Sequence, residues 1–268
     1  MIVSASYNDD IPAFYGRWFM KRLDAGFCRT FDTQGLQLHR VPLTREAVDG
    51  FVFWTRNARP FLPHFETLHR RGFPFVVQYA ITGESKDSVA DAHELARAYG
   101  PRAVVWRYAP LVLSAETPLP WHMRNFERLV RAMQGATDEV VVAFDGHRPA
   151  ATGEIRAAVK QMAALACACA MRLSICSQPD YLVPPTSPAR CIDAKRLSDV
   201  ANRPVAAETH PRWSGCLCAA ARDIGAPLED RSIQGPVLAP RREDHDEDGE
   251  FLVPPPPIAA AKGADLPF

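Results

Sequence analysis

Three stretches decide how this chain folds: Phe75-Val76-Val77-Gln78-Tyr79-Ala80-Ile81, Ala103-Val104-Val105-Trp106-Arg107-Tyr108 and Glu139-Val140-Val141-Val142-Ala143-Phe144. Each is short, β-branched or aromatic, and apolar on both faces, as a strand must be when it is covered on both sides. Each is followed by a stretch with helical spacing. Val89 to Tyr99 closes at Gly100, Trp121 to Gln134 closes at Gly135, and Gly153 to Ala170 follows the third. Working outward, the same unit recurs. Ile2 to Ser6 precedes an apolar repeat at Phe14, Trp18, Phe19 and Leu23 within Ile11 to Ala25, with Asp10 as N-cap and Pro12 in the first turn. Gly50 to Trp54 precedes a helix from about Pro60 to Arg71, and Met171 to Cys176 ends the series. Strand and helix alternating in this way give a parallel sheet joined by right-handed crossovers. Six repeats predict a six-stranded partial (β/α) barrel, TIM-barrel-like, over residues 1–178; periodicity alone does not separate it from a flat α/β sheet.

After Cys176 the pattern changes. Residues 179–225 read as a loop-rich, cysteine-containing segment packed on the barrel, with one helix at Ala194 to Ala201. Residues 226–268 carry an acidic run from Glu243 to Glu250 and four consecutive prolines from Pro254, and read as a mostly disordered tail.

The composition bounds the partners. Lys+Arg and Asp+Glu are 31 each in 268 residues, so no net field draws the chain to nucleic acid or an anionic surface. No apolar run reaches bilayer length and the first residues enter a strand, so the expected setting is cytoplasmic, with no membrane partner. Oligomeric state is not readable.

In parallel α/β architectures ligands gather at the carboxyl ends of strands. Those ends carry Ser4, Ser6 and Asp10, then Trp54, Arg56 and Asn57, then Gln78, then Arg107 and Tyr108, then Gln178. The two arginines could fork onto a carboxylate or phosphate, and the amides could orient a small-molecule ligand. The same residue types also cap helices and satisfy loop backbone, as Asp10 is placed to do. No G-x-S-x-G, P-loop or H-E-x-x-H occurs, and no catalytic residue is assigned.

There are seven cysteines. In a reducing compartment an odd set reads as core thiols or metal ligands before disulfides. Cys176, Cys191, Cys216 and Cys218 come from three separated segments and could close a tetrahedral zinc site or hold an iron–sulfur cluster. Cys167 and Cys169, in the alanine-rich stretch ALACACA, and Cys28 read as packing residues.

Several of these segments together resemble the bacterial family known as domain of unknown function 1848. They are MIVSASYNDDIPAFYGRWFMKRL, VDGFVFWTRNARPFLP, GFPFVVQYAITG, AVVWRYAPLVL, SQPDYLVP, ARCIDAKRL and GCLCAAARDIG, within residues 1–225. That family looks related to the radical S-adenosylmethionine and spore-photoproduct-lyase group. The resemblance implies a partial barrel, an iron–sulfur cluster and S-adenosylmethionine as cofactor. Family members continue past the segment Asp223-Ile224-Gly225-Ala226 into C-x-x-x-C-x-x-C, whose three thiolates leave one iron open for the cofactor. Here the chain reads PLEDRSIQGPVLAPRRED with no cysteine. Ala109 stands where similar sequences carry aspartate, and the connection between the fifth and sixth strands is short and lacks their basic segment. The resemblance therefore implies a divergent radical S-adenosylmethionine-like protein without its catalytic cluster, its remaining four cysteines falling at family positions. The other readings are an enzyme using an unusual four-cysteine cluster, a non-enzymatic ligand-binding or zinc-stapled protein, and a degenerate gene product.

Overall fold

The apolar runs form strands because their β-branched and aromatic side chains pack on both faces of a sheet. The computed structural model describes residues 1–5, 9–31, 38–83, 86–145, 152–210 and 215–225. Strand β1 (Ile2–Ala5) leads into α1 (Ile11–Phe14) and α2 (Gly16–Ala25). The single helix expected there is broken at Tyr15. A hairpin that the sequence reading did not anticipate, β2 (Phe27–Phe31) and β3 (Leu38–Pro42), pairs antiparallel as a separate ribbon. The repeating part continues with β4 (Gly50–Thr55), α3 (Leu62–Arg70), β5 (Phe75–Ala80), α4 (Lys86–Tyr99), β6 (Val104–Leu111), α5 (Leu119–Ala132), β7 (Glu139–Phe144), α6 (Gly153–Ala168) and β8 (Arg172–Ile175). Three further elements follow: β9 (Ser187–Pro188), α7 (Ala194–Ala201) and β10 (Arg222–Ile224).

The main sheet has eight strands, not six, in the order β10-β1-β4-β5-β6-β7-β8-β9, and every pairing in it is parallel. The six strands read from periodicity are its centre. Short strands β9 and β10, from the stretch read as loop, form its two edges, and among the described residues no ladder joins them. From β1 to β8 the strands lie side by side in chain order. Right-handed crossovers that always step in one direction place their helices on one face. The burial pattern agrees: Val3, Phe51, Phe53, Val77, Trp106 and Val142 share a core with side chains of α2 to α6. Phenylalanines dominate it, with Phe65 stacked on Phe75 at 4.8 Å and Phe19 edge-on to Phe53 at 5.3 Å. Each buried ring contributes about 2 kcal/mol of transfer free energy.

The opposite face carries the alternate residues. Ile2, Val52, Trp54, Val76, Val105 and Val141 pack against Cys176, Cys191, Ile192, Leu197, Val205, Cys216 and Cys218. Both faces are thus covered, one by helices and the other by chain downstream of β8. Of the three cysteines read as packing residues, Cys28 and Cys169 are buried, whereas Cys167 is exposed. The helix that carries it turns that position to solvent, so core packing does not describe it. Among the described residues no helix is long and apolar enough to cross a membrane. Residues 226–268, read as a tail, lie outside the described residues.

Candidate functional site

Because strand side chains alternate between faces, the polar strand-end residues divide into two sets. Ser4, Trp54, Gln78 and Arg107 are buried and point to the face covered by the downstream segment, whereas Tyr108 lies in the helix-covered core. The register brings the first set together: β1 pairs Ser4 with Val52, β4 pairs Trp54 with Gln78, and β5 pairs Ala80 with Arg107. Trp54 Nε1 donates to Ser4 Oγ at 3.3 Å, and the Arg107 guanidinium lies 5.0 Å from the Trp54 ring centre.

Arg107 is only 2% exposed. Its Nη1 donates to Cys191 Sγ at 3.0 Å and to Gln78 Oε1 at 3.5 Å, and Gln78 Nε2 donates to the Cys191 carbonyl at 2.7 Å. The guanidinium Nε has no hydrogen-bond partner among the described residues, and no carboxylate there stands within ion-pair distance of Arg107.

Two of the four cysteines, Cys191 and Cys176, meet this guanidinium. Cys176 follows β8, Cys191 precedes α7, and Cys216-Leu217-Cys218 follows Gly215, whose φ of 76° is one that glycine adopts without strain. Cys176 and Cys191 Sγ are 3.5 Å apart. Cys218 interacts with Cys191 on one side and with Cys216 on the other, and its amide donates to Cys216 Sγ at 3.4 Å. All four are buried. The sulfurs thus form a contact series, 176–191–218–216. Among the described residues, no group of three or more Cys, His, Asp or Glu side chains is placed so that it could hold a metal ion.

The electrostatics oppose ionisation of these thiols one by one. A hydrogen bond to Cys191 and burial push the Cys176 thiol well above its ordinary value. The Cys191 thiol is pulled down by Cys176 and by Arg107, but Cys218 and burial outweigh them and raise it to about 11. Cys218 is likewise helped by Cys191 yet raised to about 11 by Cys216 and burial. Burial alone would lower the Arg107 value, and ionised Cys191 and Cys176 sulfurs would raise it. Thiols held this high are protonated at neutral pH, because like charges this close do not all ionise. The guanidinium remains charged throughout.

The remaining expected residues serve the backbone. Asp10 Oδ1 accepts from the Ala13 amide at 3.0 Å and Oδ2 from the Arg56 amide at 2.8 Å; burial raises its pKa against these bonds. Asn57 Oδ1 accepts from the Arg59 amide, and the Arg56 and Asn57 side chains are exposed. Gln178 brackets Phe144, accepting from its amide at 2.9 Å and donating to its carbonyl at 2.8 Å. Tyr108 meets His122 Nδ1 at 2.9 Å and accepts from Asn125 Nδ2 at 3.0 Å. Ser6 lies outside the described residues. The structure therefore joins four of the nine described strand-end residues, Ser4, Trp54, Gln78 and Arg107, to the cysteines and does not bring the other five to the same place. A cleft of 420 Å³ opens instead beside the amino ends of β7 and β8, lined by Glu139, Arg172, Ser174, Arg190 and Asp193 among others. The sequence reading missed it and the buried Arg196 beneath it, which contacts Glu139 Oε2 at 2.6 Å. Nothing in the local pattern of α7 marks that arginine as buried.

The sequence profile described as domain of unknown function (DUF1848) matches residues 2–227. No curated protein and no solved structure matches the chain.

Proposed function

This chain belongs to the DUF1848 family, and from that membership we propose that it is a divergent radical S-adenosylmethionine-like scaffold whose Cys176, Cys191, Cys216 and Cys218 hold a metal ion as a closed staple. The observation that carries the reading is the contact series of four buried thiols drawn from three segments. Core packing gives no reason for four sulfurs to meet, since alanine or valine would fill the same space without weak polar atoms. A one-directional parallel sheet with helices on one face also supports kinship with partial barrels.

Four thiols are donors of the kind zinc takes, although among the described residues they are not placed as a group able to hold an ion. Zn–S bonds of about 2.3 Å in a tetrahedron place the sulfurs about 3.8 Å apart, close to the 3.5 Å between Cys176 and Cys191. A [4Fe–4S] cluster ties each cysteine to a different iron and needs wider spacing. When bound, the ion supplies the charge that lets the thiols give up their protons. The chain's own part is to bring the segment after β8 to the sheet and to exclude water from the sulfurs. Four thiolates on one ion leave no open position for S-adenosylmethionine, so this reading carries no cofactor cleavage. A small-molecule ligand at the strand ends would meet the exposed Arg56 and Asn57 before the buried set.

Metal and sulfide analysis of anaerobically purified full-length protein tests this. The expected result is zinc without sulfide and without visible absorbance. Iron accompanied by sulfide would overturn the single-ion reading, and robust 5′-deoxyadenosine production after anaerobic reconstitution would overturn the absence of cofactor cleavage.

A further inference from the structure

The cleft beside the amino ends of β7 and β8 carries unbalanced charge. Three acidic side chains line it, and each already has a cation within 4.0 Å: Glu139 and Asp193 have Arg172, and Asp199 has Arg102 and Lys195. A fourth basic side chain, Arg190, is left over. It is exposed, and among the described residues its side chain makes no ion pair or hydrogen bond. The cleft also holds donors in reserve. Ser174 and Ser187 are register partners on β8 and β9, with hydroxyls 3.3 Å apart. Ser174 gives its proton to Glu139 Oε1 at 2.8 Å, so the Ser187 proton is the one free to turn into the cleft. Arg172 engages only its Nη2 among the described residues, on Glu139 at 2.7 Å and opposite Asp193 at 4.0 Å, which leaves the rest of its guanidinium donors open. Buried Glu139, held also by Ser174 and Arg196, keeps that guanidinium in place before any ligand arrives.

We propose that this cleft binds a small organic acid, its carboxylate held by Arg190 and Arg172 with Ser187 donating a further bond, and its apolar body resting on Pro188 and Leu217. One surplus cation matches one negative charge. The planar fork of a guanidinium suits the two oxygens of a carboxylate. Leu217 presents an apolar side chain, 38% exposed, to the same cleft, so the lining is not ionic throughout. The volume of 420 Å³ lies in the range of small-molecule sites. None of the four cysteine sulfurs lines the cleft, and binding there needs no metal, so the zinc analysis and this proposal succeed or fail separately.

The test follows backbone amide resonances of the isotope-labelled full-length chain at constant ionic strength. Sodium benzoate, uncharged benzamide and inorganic phosphate are added in separate titrations. Benzoate should give saturable shifts confined to residues 172–174, 187–195 and 217, and benzamide should give none there. Arg190→Gln should weaken benzoate binding by about tenfold, the loss of one charge-assisted hydrogen bond. Arg190→Lys should recover part of that loss, and Arg97→Gln, an exposed change on α4, should bind as the parent does. Because Arg190 is exposed, thermal unfolding of Arg190→Gln should match the parent. No saturable benzoate shifts in these residues would overturn the proposal. Equal binding of benzamide would overturn the role of charge, and parent-like binding by Arg190→Gln would overturn the role of Arg190. Phosphate bound more tightly than benzoate at the same residues would overturn the organic-acid class.

Discussion

Arg107 and Arg196 are the two arginines buried among the described residues, and they sit in different layers of the same face of the molecule. Arg196 belongs to a carboxylate network in which Glu139 accepts from Arg172, Ser174 and Arg196 at 2.6 to 2.8 Å. Burial raises the Glu139 pKa, but Arg172, Arg196 and Ser174 outweigh it, so the carboxyl is held below its ordinary value. Replacing Glu139 with Gln leaves the Arg196 charge to Asp138 alone. The expected loss is about 3 kcal/mol of stability at neutral pH, measured by urea unfolding. The pH dependence has a definite sign. A carboxyl depressed in the folded state stabilises above its unfolded value, near 4.3, and that contribution disappears as pH falls through the lower folded value. Acidification below about pH 4 should therefore narrow the gap between parent and Glu139→Gln. A gap that stayed constant down to pH 2 would contradict this assignment. The faces of these residues were legible in principle, since Trp54, Gln78 and Arg107 differ from Thr55, Tyr79 and Tyr108 by one step of strand alternation. What the sequence lacked was the register that sets Ala80 beside Arg107, and hence which strand-end groups meet.

At the scale of elements, strands β1, β4, β5, β6, β7 and β8 were readable because both-face apolar runs have few other solutions, and α7 because Asp193 marks its start by accepting from the Lys195 amide at 2.9 Å. The β2–β3 ribbon escaped because its alternation mixes Arg29, His39 and Arg40 into the pairs. Edge strands β9 and β10 have two and three residues and no periodicity of their own; their partners create them. The packing of α7 gives a test. Leu197 is wholly buried, and a Cβ placed on Gly50 would come within 2.7 Å of its Cδ2 and 3.3 Å of the Pro74 carbonyl. Leu197→Ala should cost about 2–5 kcal/mol by cavity formation, and Gly50→Ala about 1–3 kcal/mol by overcrowding. Because both changes act on one contact, the double variant should lose less than the sum. Strict additivity in urea unfolding would show that α7 does not rest on β4.

For the whole molecule, the sheet is covered by two layers of different origin. Helices α1 to α6 alternate with the strands they cover, whereas the opposite layer comes from residues after β8 and meets the sheet through the cysteines, α7 and β10. On the proposed zinc reading, removing the ion with a chelator should therefore loosen the two layers unequally. Amide hydrogen exchange should accelerate in residues 187–205 and 216–224 and change little in β4 to β7, because local opening follows the lost tether. Uniform acceleration across the sheet would show that the staple governs global stability instead.

The edge position of β10 beside β1, with Val3 aligned to Arg222, has a further consequence for biosynthesis. The outer border of β1 is synthesised some two hundred residues before the strand that shields it. During that interval the backbone donors and acceptors of β1 are a template for intermolecular pairing. Closure of that border waits on the arrival of Ile224 beside Ala5.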